Sequence, residues 1–491
     1  MSVVLGLSKK FLATPEASLS EGVTSQIIKI QPNNVSSITS NNYSGLSAST
    51  VSTQPPMVVQ DVRFSIPVGM GKNVWLDTAK TTFSFRAKYT VSTASTTGGI
   101  QTAYLQSNAL SFWDRLQVIN ANGVAVEDVP GLGQIEHHKQ IWSADVAERD
   151  SMALNYGYLA EDEETTSYNR TQGHIIKSFT TATAVVVPTG SSYYSYEVPM
   201  PSSLLGTGAK GFVPIGALQK LDLVLTTANF LPIVFDVGAG MTVSPTVSVT
   251  LDNFSINASY ITLDDKSAAL LGSPKMHYVH GITNRSSSST INSGIAGQTS
   301  ILMGLRGQSV RGIATRFSSS SLSTAGAING VFDSKAILSS GINYFLQGSA
   351  RYPPQPLNVN TAPASVFSQA LQASEAFTLK EFRYAGVPSA FCTYLETGTA
   401  PTAANGYDQR LVDAGSATQA NSTQNFCFAI DLRKASNSNI LDGLNLSQSA
   451  NNYLEMNVTN APTNNVYATF IASLDVIYMI DMETGNIDFR M

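Results

Sequence analysis

The sequence predicts an all-β protein made of two similar β-sandwich domains in tandem, and three observations carry that reading. Apolar residues alternate with polar ones along several segments. Tracts of Ser, Thr, Asn and Gly separate those segments and leave room for only two helices. The pattern of the first half returns in the second, 232 to 233 positions later.

The strands come first. Tyr194, Tyr196, Val198 and Met200 alternate with small or polar residues, as do Leu221, Leu223 and Leu225. Phe470, Ala472, Leu474, Val476, Tyr478 and Ile480 do so over a longer run. A period of two puts one face of a strand on a core. Between Val247 and Tyr260 the phase flips, from odd positions (Val247, Val249, Leu251) to even ones (Phe254, Ile256, Ala258, Tyr260). A bulge at Asp252-Asn253 accounts for the flip.

The tracts 33–53, 92–99, 286–290 and 318–324 read as loops or arms. Helical spacing is confined to Gln134–Val146, with Ile135, His138, Trp142 and Val146 near one face, and to Ala364–Phe377, with Val366, Phe367, Ala370, Leu371, Ser374 and Phe377 on a stripe. Strands spaced by turn-rich loops, with few helices, indicate sandwiches or barrels.

The repeat organises these elements. Tyr194, Tyr196, Val198 and Met200 correspond to Phe426, Phe428, Ile430 and Leu432. Leu221, Leu223 and Leu225 correspond to Leu454, Met456 and Val458. Each half ends in a long alternating strand closed by acids, Tyr260–Asp265 and Tyr478–Asp481. Upstream, each half has a strand, a turn with proline and one helix: Leu116–Val129, Pro130 and the first helix, then Tyr344–Ala350, Pro353-Pro354-Gln355-Pro356 and the second. The same order twice indicates duplication, with a boundary near Asp264-Asp265-Lys266.

Composition narrows the function. Hydrophobic residues make up 43%, enough for a sizeable core. Charged residues make up 13%, about half the usual share for a soluble protein. So uncharged a surface suits a chain buried against partners or one whose loops are built from small polar residues, which favours a self-assembling or secreted β protein over a cytosolic enzyme. Net charge is −5 and no basic run occurs, which argues against direct neutralisation of nucleic acid. The start MSVVLGLSKKF places its apolar run before the lysines, the reverse of a secretory signal. Leu223–Phe235 is too short to span a bilayer. The chain is expected to be made in the cytosol without an export signal.

Little catalytic chemistry is legible. Two cysteines, Cys392 and Cys427, make no disulfide framework and read as buried hydrophobes, with a single bridge between them as the alternative. His137 and His138 point about 100° apart on a helix, so one is expected packed and one exposed, with no shared metal. Glu161-Asp162-Glu163-Glu164 reads as a solvated loop. Gly206-Thr-Gly-Ala-Lys-Gly211 lacks the Gly-Lys-Ser/Thr end of a phosphate loop and leads into a strand. Gly131-Leu-Gly133 is only a fragment of a dinucleotide fingerprint, and no nucleophile elbow or His-Glu-x-x-His is present. No catalytic, cofactor-binding or metal-ligating residue is assigned.

Three features carry a family resemblance: the tandem β domain; the passage Tyr196-Glu-Val-Pro-Met-Pro-Ser-Ser-Leu-Leu-Gly206 with Val213-Pro-Ile-Gly-Ala-Leu-Gln-Lys-Leu-Asp-Leu-Val-Leu225; and the C-terminal strand ending Ile480-Asp481 with Gly485-Asn486-Ile487. The pattern resembles the double jelly-roll major capsid proteins of the adenovirus-hexon and tectivirus lineage, which includes virophage and giant-virus proteins. The resemblance implies two tandem eight-stranded jelly rolls, each with a short helix in a long loop. It implies an N-terminal arm at 1–54, a first jelly roll at 55–265 and a second at 266–491. It also implies pseudo-hexagonal homotrimers tiling an icosahedral shell of a DNA virus, located in the virion and assembled inside the host cell. Neighbouring trimers, penton and minor capsid proteins and a possible internal membrane are the implied partners, without sequence-specific nucleic-acid binding.

Three other readings compete. A tailed-phage capsid fold requires a long charged helix, and none is visible. A phage tail, fibre or surface adhesin β protein shares the Ser/Thr/Asn-rich composition but usually shows shorter repeats or an export signal. A carbohydrate-active enzyme needs paired carboxylates in an aromatic cleft, which sequence alone does not place.

Overall fold

A computed structural model of the chain describes residues 23–41, 57–91, 100–105, 107–143, 153–157, 175–178, 190–237, 247–265, 275–318, 334, 337, 339–348, 350–359, 361–377, 426–434, 443–447, 451–459, 461–462 and 465–491. The N-terminal half contributes β1 (Thr24–Ile30), β2 (Ser37–Thr39), β3 (Asp61–Ser65), β4 (Val74–Val91), β5 (Ile100–Leu105), β6 (Trp113–Asn120) and β7 (Ala125–Pro130). The helix α1 (Leu132–Trp142) follows, then β8 (Ile175–Ser178), β9 (Gly190–Pro199), β10 (Ala209–Lys210), β11 (Phe212–Val213), β12 (Leu221–Thr227), β13 (Ile233–Val237) and β14 (Val247–Thr262). The C-terminal half contributes β15 (Met276–Ile291), β16 (Gly297–Leu302), β17 (Val310–Ser318), β18 (Ser339–Leu346), β19 (Ala350–Leu357), the helix α2 (Pro363–Ala373), β20 (Phe428–Asp431), β21 (Tyr453–Val458), β22 (Val466–Asp481) and β23 (Ile487–Arg490).

Strand order is the same in both halves. In the first, one sheet runs β1/β2, β14, β4, β9 and the other β3, β12, β6, β7. In the second, the sheets run β15, β22, β17, β20 and β16, β21, β18, β19. Counting each half's main strands in chain order, with β1 and β2 as one interrupted strand, both place the first beside the eighth, third and sixth. The second lies beside the seventh, fourth and fifth. Both expected helices sit between the fifth strand and the sixth.

The alternation fills two cores. In the first, Phe83 and Phe85 on β4, Tyr196 on β9 and Phe254 on β14 face Phe64 on β3 and Trp113 on β6. Ring centroids lie 5.3 Å apart for Phe83–Trp113 and 5.8 Å for Trp113–Phe254. In the second, Tyr344 on β18 stacks on Phe428 of β20 at 4.8 Å. The Tyr344 hydroxyl donates to the Phe428 carbonyl at 2.8 Å and contacts Thr315 Oγ1 at 2.8 Å, so the core closes without an orphaned phenol. Burying one such aromatic side chain contributes about 1.5–3 kcal/mol.

The expected bulge lies where the phase flips. The register between β14 and β4 shifts between Asp252 and Ser255. Asn253 takes φ 53°, a left-handed conformation that asparagine tolerates better than most residues. Leu251 and Phe254 therefore both point into the core.

Four expectations need correction. The arm at 1–54 contains β1, paired with β14 from Thr24↔Thr262 to Ile30↔Ile256, and β2, also on β14. The first sandwich therefore begins upstream of residue 55, because its first strand is needed to cover β14. Ser286–Thr290 is not a loop but part of β15, paired throughout with β22. Its hydroxyls hid the strand by bonding carbonyls, as from Ser289 to Leu302 at 2.7 Å. The proline cluster at 353–356 lies within β19, which among the described residues pairs only with β18. An edge strand tolerates the missing N–H groups. The single strand expected over Leu116–Val129 is the hairpin β6–β7. The tracts 92–99 and 319–324 lie outside the described residues.

Candidate functional site at the seam between the sandwiches

The segment after β9 builds the junction between the halves. Thr207 N–H donates to the Met200 carbonyl at 3.0 Å, closing the loop over 200–207 into a turn back on itself. A Cβ on Gly206 would lie 1.8 Å from that carbonyl oxygen, so only glycine fits. The turn delivers Ala209–Lys210 to the edge of β15, pairing Ala209 with Gly281 and Lys210 with His280. Ile282 N–H donates to the Gly208 carbonyl at 2.8 Å. A Cβ on Gly281 would sit 2.3 Å from the Ser203 carbonyl oxygen. The glycines that mimic a phosphate loop thus let two backbones meet, and β10 makes the first sandwich lend a strand to the second.

A buried polar chain runs beside this junction. Glu127 on β7 accepts from Ser202 Oγ at 2.5 Å, Ser203 N–H at 2.6 Å and Ser203 Oγ at 2.7 Å. Ser203 Oγ in turn accepts from the Tyr478 hydroxyl of β22 at 2.5 Å. Burial pushes the Glu127 carboxyl up, and the serine hydrogen bonds pull the other way without cancelling it. Burial likewise raises the Tyr478 phenol well above its ordinary value. Four polar groups from both halves are satisfied in one line, as a buried network requires.

The helices meet across the same seam. His138 of α1 packs edge-on to Phe377, at the end of the 3₁₀ turn Ser374–Phe377 that follows α2, with centroids 4.9 Å apart. Trp142 lies 5.8 Å from Phe367, and Ser143 Oγ donates to the Ser374 carbonyl at 3.1 Å. Further along, Trp75 of β4 meets His277 of β15 edge-on at 5.1 Å. Ser286 Oγ donates to the Pro130 carbonyl at 2.8 Å. The turn between β22 and β23 docks on the first half: Gln219 Nε2 donates to the Thr484 carbonyl at 2.7 Å and Asn120 Nδ2 to the Ile487 carbonyl at 3.2 Å.

The histidine pair departs from expectation, for both rings are buried. His137 Nδ1 contacts Ser107 Oγ at 2.6 Å. Neither ring nitrogen of His138 has a hydrogen-bond partner among the described residues. Burial first, then the positive charges of Arg316 and Lys139, holds His138 well below the usual histidine range. The one-in, one-out expectation assumed a helix with one solvent face, whereas α1 has a sandwich on one side and the second helix region on the other.

Next to the seam, Asp475 of β22 is buried between Ser309 Oγ at 2.8 Å, His280 Nε2 at 2.9 Å and Arg311 Nη1 at 3.2 Å. Burial pushes this carboxyl up, but the His280 hydrogen bond and the Arg311 charge outweigh it and leave it below the ordinary value. A lone acid inside the apolar run 470–480 was the available sequence signal for this cluster. Among the described residues no three His, Cys, Asp or Glu side chains gather as a metal site. Cys427 is buried and its thiol is pushed up to about 12, largely by desolvation. Cys392 and the acidic run Glu161–Glu164 lie outside the described residues.

No family model and no curated protein matches the sequence. Solved structures do. The mavirus major capsid protein aligns over 98% of this chain and 92% of its own, with TM-score 0.50 and 12% identity. A chain from the cryo-EM structure of the Sputnik virophage aligns over 95% and 88%, with TM-score 0.52 and 12% identity. Together with the repeated strand order, this settles the architecture. The chain has the double jelly-roll fold. Within that fold the seam joins two jelly rolls through a lent strand, a polar chain and a packed pair of helices.

Proposed function

We propose that this chain is a major capsid protein whose homotrimers tile an icosahedral shell. The observation that supports the reading is the repeat itself: two copies of one eight-stranded order, joined along a buried seam. Three such two-lobed chains around one axis present six similar wedges, a ring with near-hexagonal outline built from one gene product. We infer a division near Lys266 into two units, with the first starting at or before β1. The chain's role is structural rather than catalytic, its place is the virion, and its first partner is itself. Penton and minor capsid proteins, and a membrane beneath the shell, complete the proposed set of neighbours. The low charged fraction fits surfaces that other copies cover. Nothing in the strand order favours the fibre or adhesin alternative.

Light scattering and electron microscopy of the purified full-length chain test the reading. The expected particle has about three times the 52.2 kDa chain mass and a hexagonal projection. A stable monomer, or a rod, at micromolar concentration overturns it.

A further inference from the structure

Four of the five histidines of the chain, His137, His138, His277 and His280, lie at the seam or on the strand that forms it. The fifth, His174, lies outside the described residues. Two of the four sit where a cation has no counter-charge. His138 is wedged between α1 and Phe377 with both nitrogens lacking acceptors among the described residues. The charges acting on it are Arg316 of β17 and Lys139 of its own helix, both positive. Acids near it are engaged elsewhere: Glu136 holds Lys139 at 2.7 Å, and Glu375 holds Arg433 at 3.0 Å. Arg311, bonded to the Ala376 carbonyl next to Phe377, is ion-paired with Asp475 at 3.2 Å.

His277, part-buried, packs edge-on against the Trp75 indole of β4, hydrogen-bonds the Phe212 backbone of β11 and pairs with Ile480 on β22. The charged groups on those strands have partners of their own. Asp77 pairs with Lys80 at 3.5 Å, and Asp481 accepts from Thr484 Oγ1 at 2.6 Å. Burial lowers His277 to about 4. His280 is the contrast, since the Asp475 carboxylate lies 2.9 Å from its Nε2.

We propose that the seam is acid-sensitive: proton uptake by His138 and His277 parts the two jelly rolls while each keeps its own core. At His138 a buried imidazolium would lack an acceptor, and at His277 a largely desolvated one would have only the Phe212 backbone, so protonation favours conformations in which water reaches the rings. The packing that gives way is the packing across the seam. The cores around Trp113 and Tyr344 hold no histidine among the residues named above. In a shell, acid would loosen each capsomer from within. The inference concerns the single chain and stands whether or not the capsid reading does.

Hydrogen exchange read by mass spectrometry on the full-length protein, from pH 8 to 3.5 with rates corrected for pH, tests it. Peptides covering 132–142, 203–210, 277–282 and 374–377 are expected to lose protection between about pH 6.5 and 4, ahead of peptides from β12 and β21. In H138F/H277F the seam midpoint is expected at least about one pH unit lower. A shared midpoint for seam and core peptides, or an unshifted midpoint in the double variant, overturns the proposal. Should the variant not fold, C2-proton exchange of the histidines in the native chain decides. Midpoints well below the ordinary range for His138 and His277 support it, and ordinary midpoints overturn it.

Discussion

Replacing Gly281 by alanine tests the reading of the seam with one methyl group. The new Cβ would sit 2.3 Å from the Ser203 carbonyl oxygen, 3.2 Å from its carbonyl carbon and 3.3 Å from the Gly208 oxygen. All three are backbone atoms, so no rotamer change relieves the clash. Ordinary contact needs at least 3.4 Å, and the loop carrying Ser203 must retreat by about 1 Å. That retreat stretches the 2.8 Å bond from Ile282 to Gly208 and the Glu127–Ser203–Tyr478 chain together. Overpacking of this kind costs about 1–3 kcal/mol. At about 2–4 °C per kcal/mol for a unit of this size, a mid-range cost of about 2 kcal/mol lowers Tm by about 4–8 °C. Differential scanning calorimetry of the variant, with exposed Thr290→Ala on the same strand as control, reads this directly. A Tm within about 1 °C of the unmodified chain would refute the argument that the two backbones touch there.

Tyr344→Phe removes a hydroxyl that bridges Thr315 and the Phe428 carbonyl, and urea unfolding is expected to show a loss of about 1–2 kcal/mol. Asp475→Ala leaves Arg311 buried without its carboxylate, at an expected cost of about 3–5 kcal/mol in the same assay. Because Asp475 is held below its ordinary value of 3.8, its contribution is present above that pH and is lost as pH falls through the lowered folded value. For His277 the depressed value means stability is full above about pH 6.5 and drains away down to about 4. Acid titration of unfolding free energy should therefore show two separate falls, and His277→Phe should shrink only the upper one, to which His138 also contributes. Asn253→Val forces a β-branched residue to φ 53° and is expected to cost at least about 1–2 kcal/mol, whereas Asn253→Gly stays near neutral, both by thermal melts.

The strands announced themselves because burial on one face leaves a period of two in the chain. Leu221, Leu223 and Leu225, and their counterparts Leu454, Met456 and Val458, are buried as the alternation requires. The bulge at Asn253 was legible for the same reason, since a slipped phase exposes core residues unless a residue is inserted. Ser286–Thr290 was not legible, because β15 carries hydroxyls there that bond carbonyls rather than pack on oil. The strand within the expected N-terminal arm was missed for a related reason. β1 is an edge strand, and most of its side chains, including Ile27, are exposed.

The seam lay almost wholly beyond the sequence. Glu127 and Tyr478 are 351 positions apart, and Ser203 joins them only after both jelly rolls have closed. The glycines at 206, 208 and 281 look alike in the chain, and only the approach of a second backbone gives each its reason. His137 and His138 followed the same logic, since a helix's periodicity reports one apolar face but not what later covers the other. By itself the sequence determined the alternating strands, both helices, the duplication and the bulge, because local periodicity and spacing are written along one chain. The tertiary structure decided which halves touch, which polar groups go dry and that the His138 imidazole has no acceptor among the described residues, because desolvation depends on neighbours that are distant in sequence.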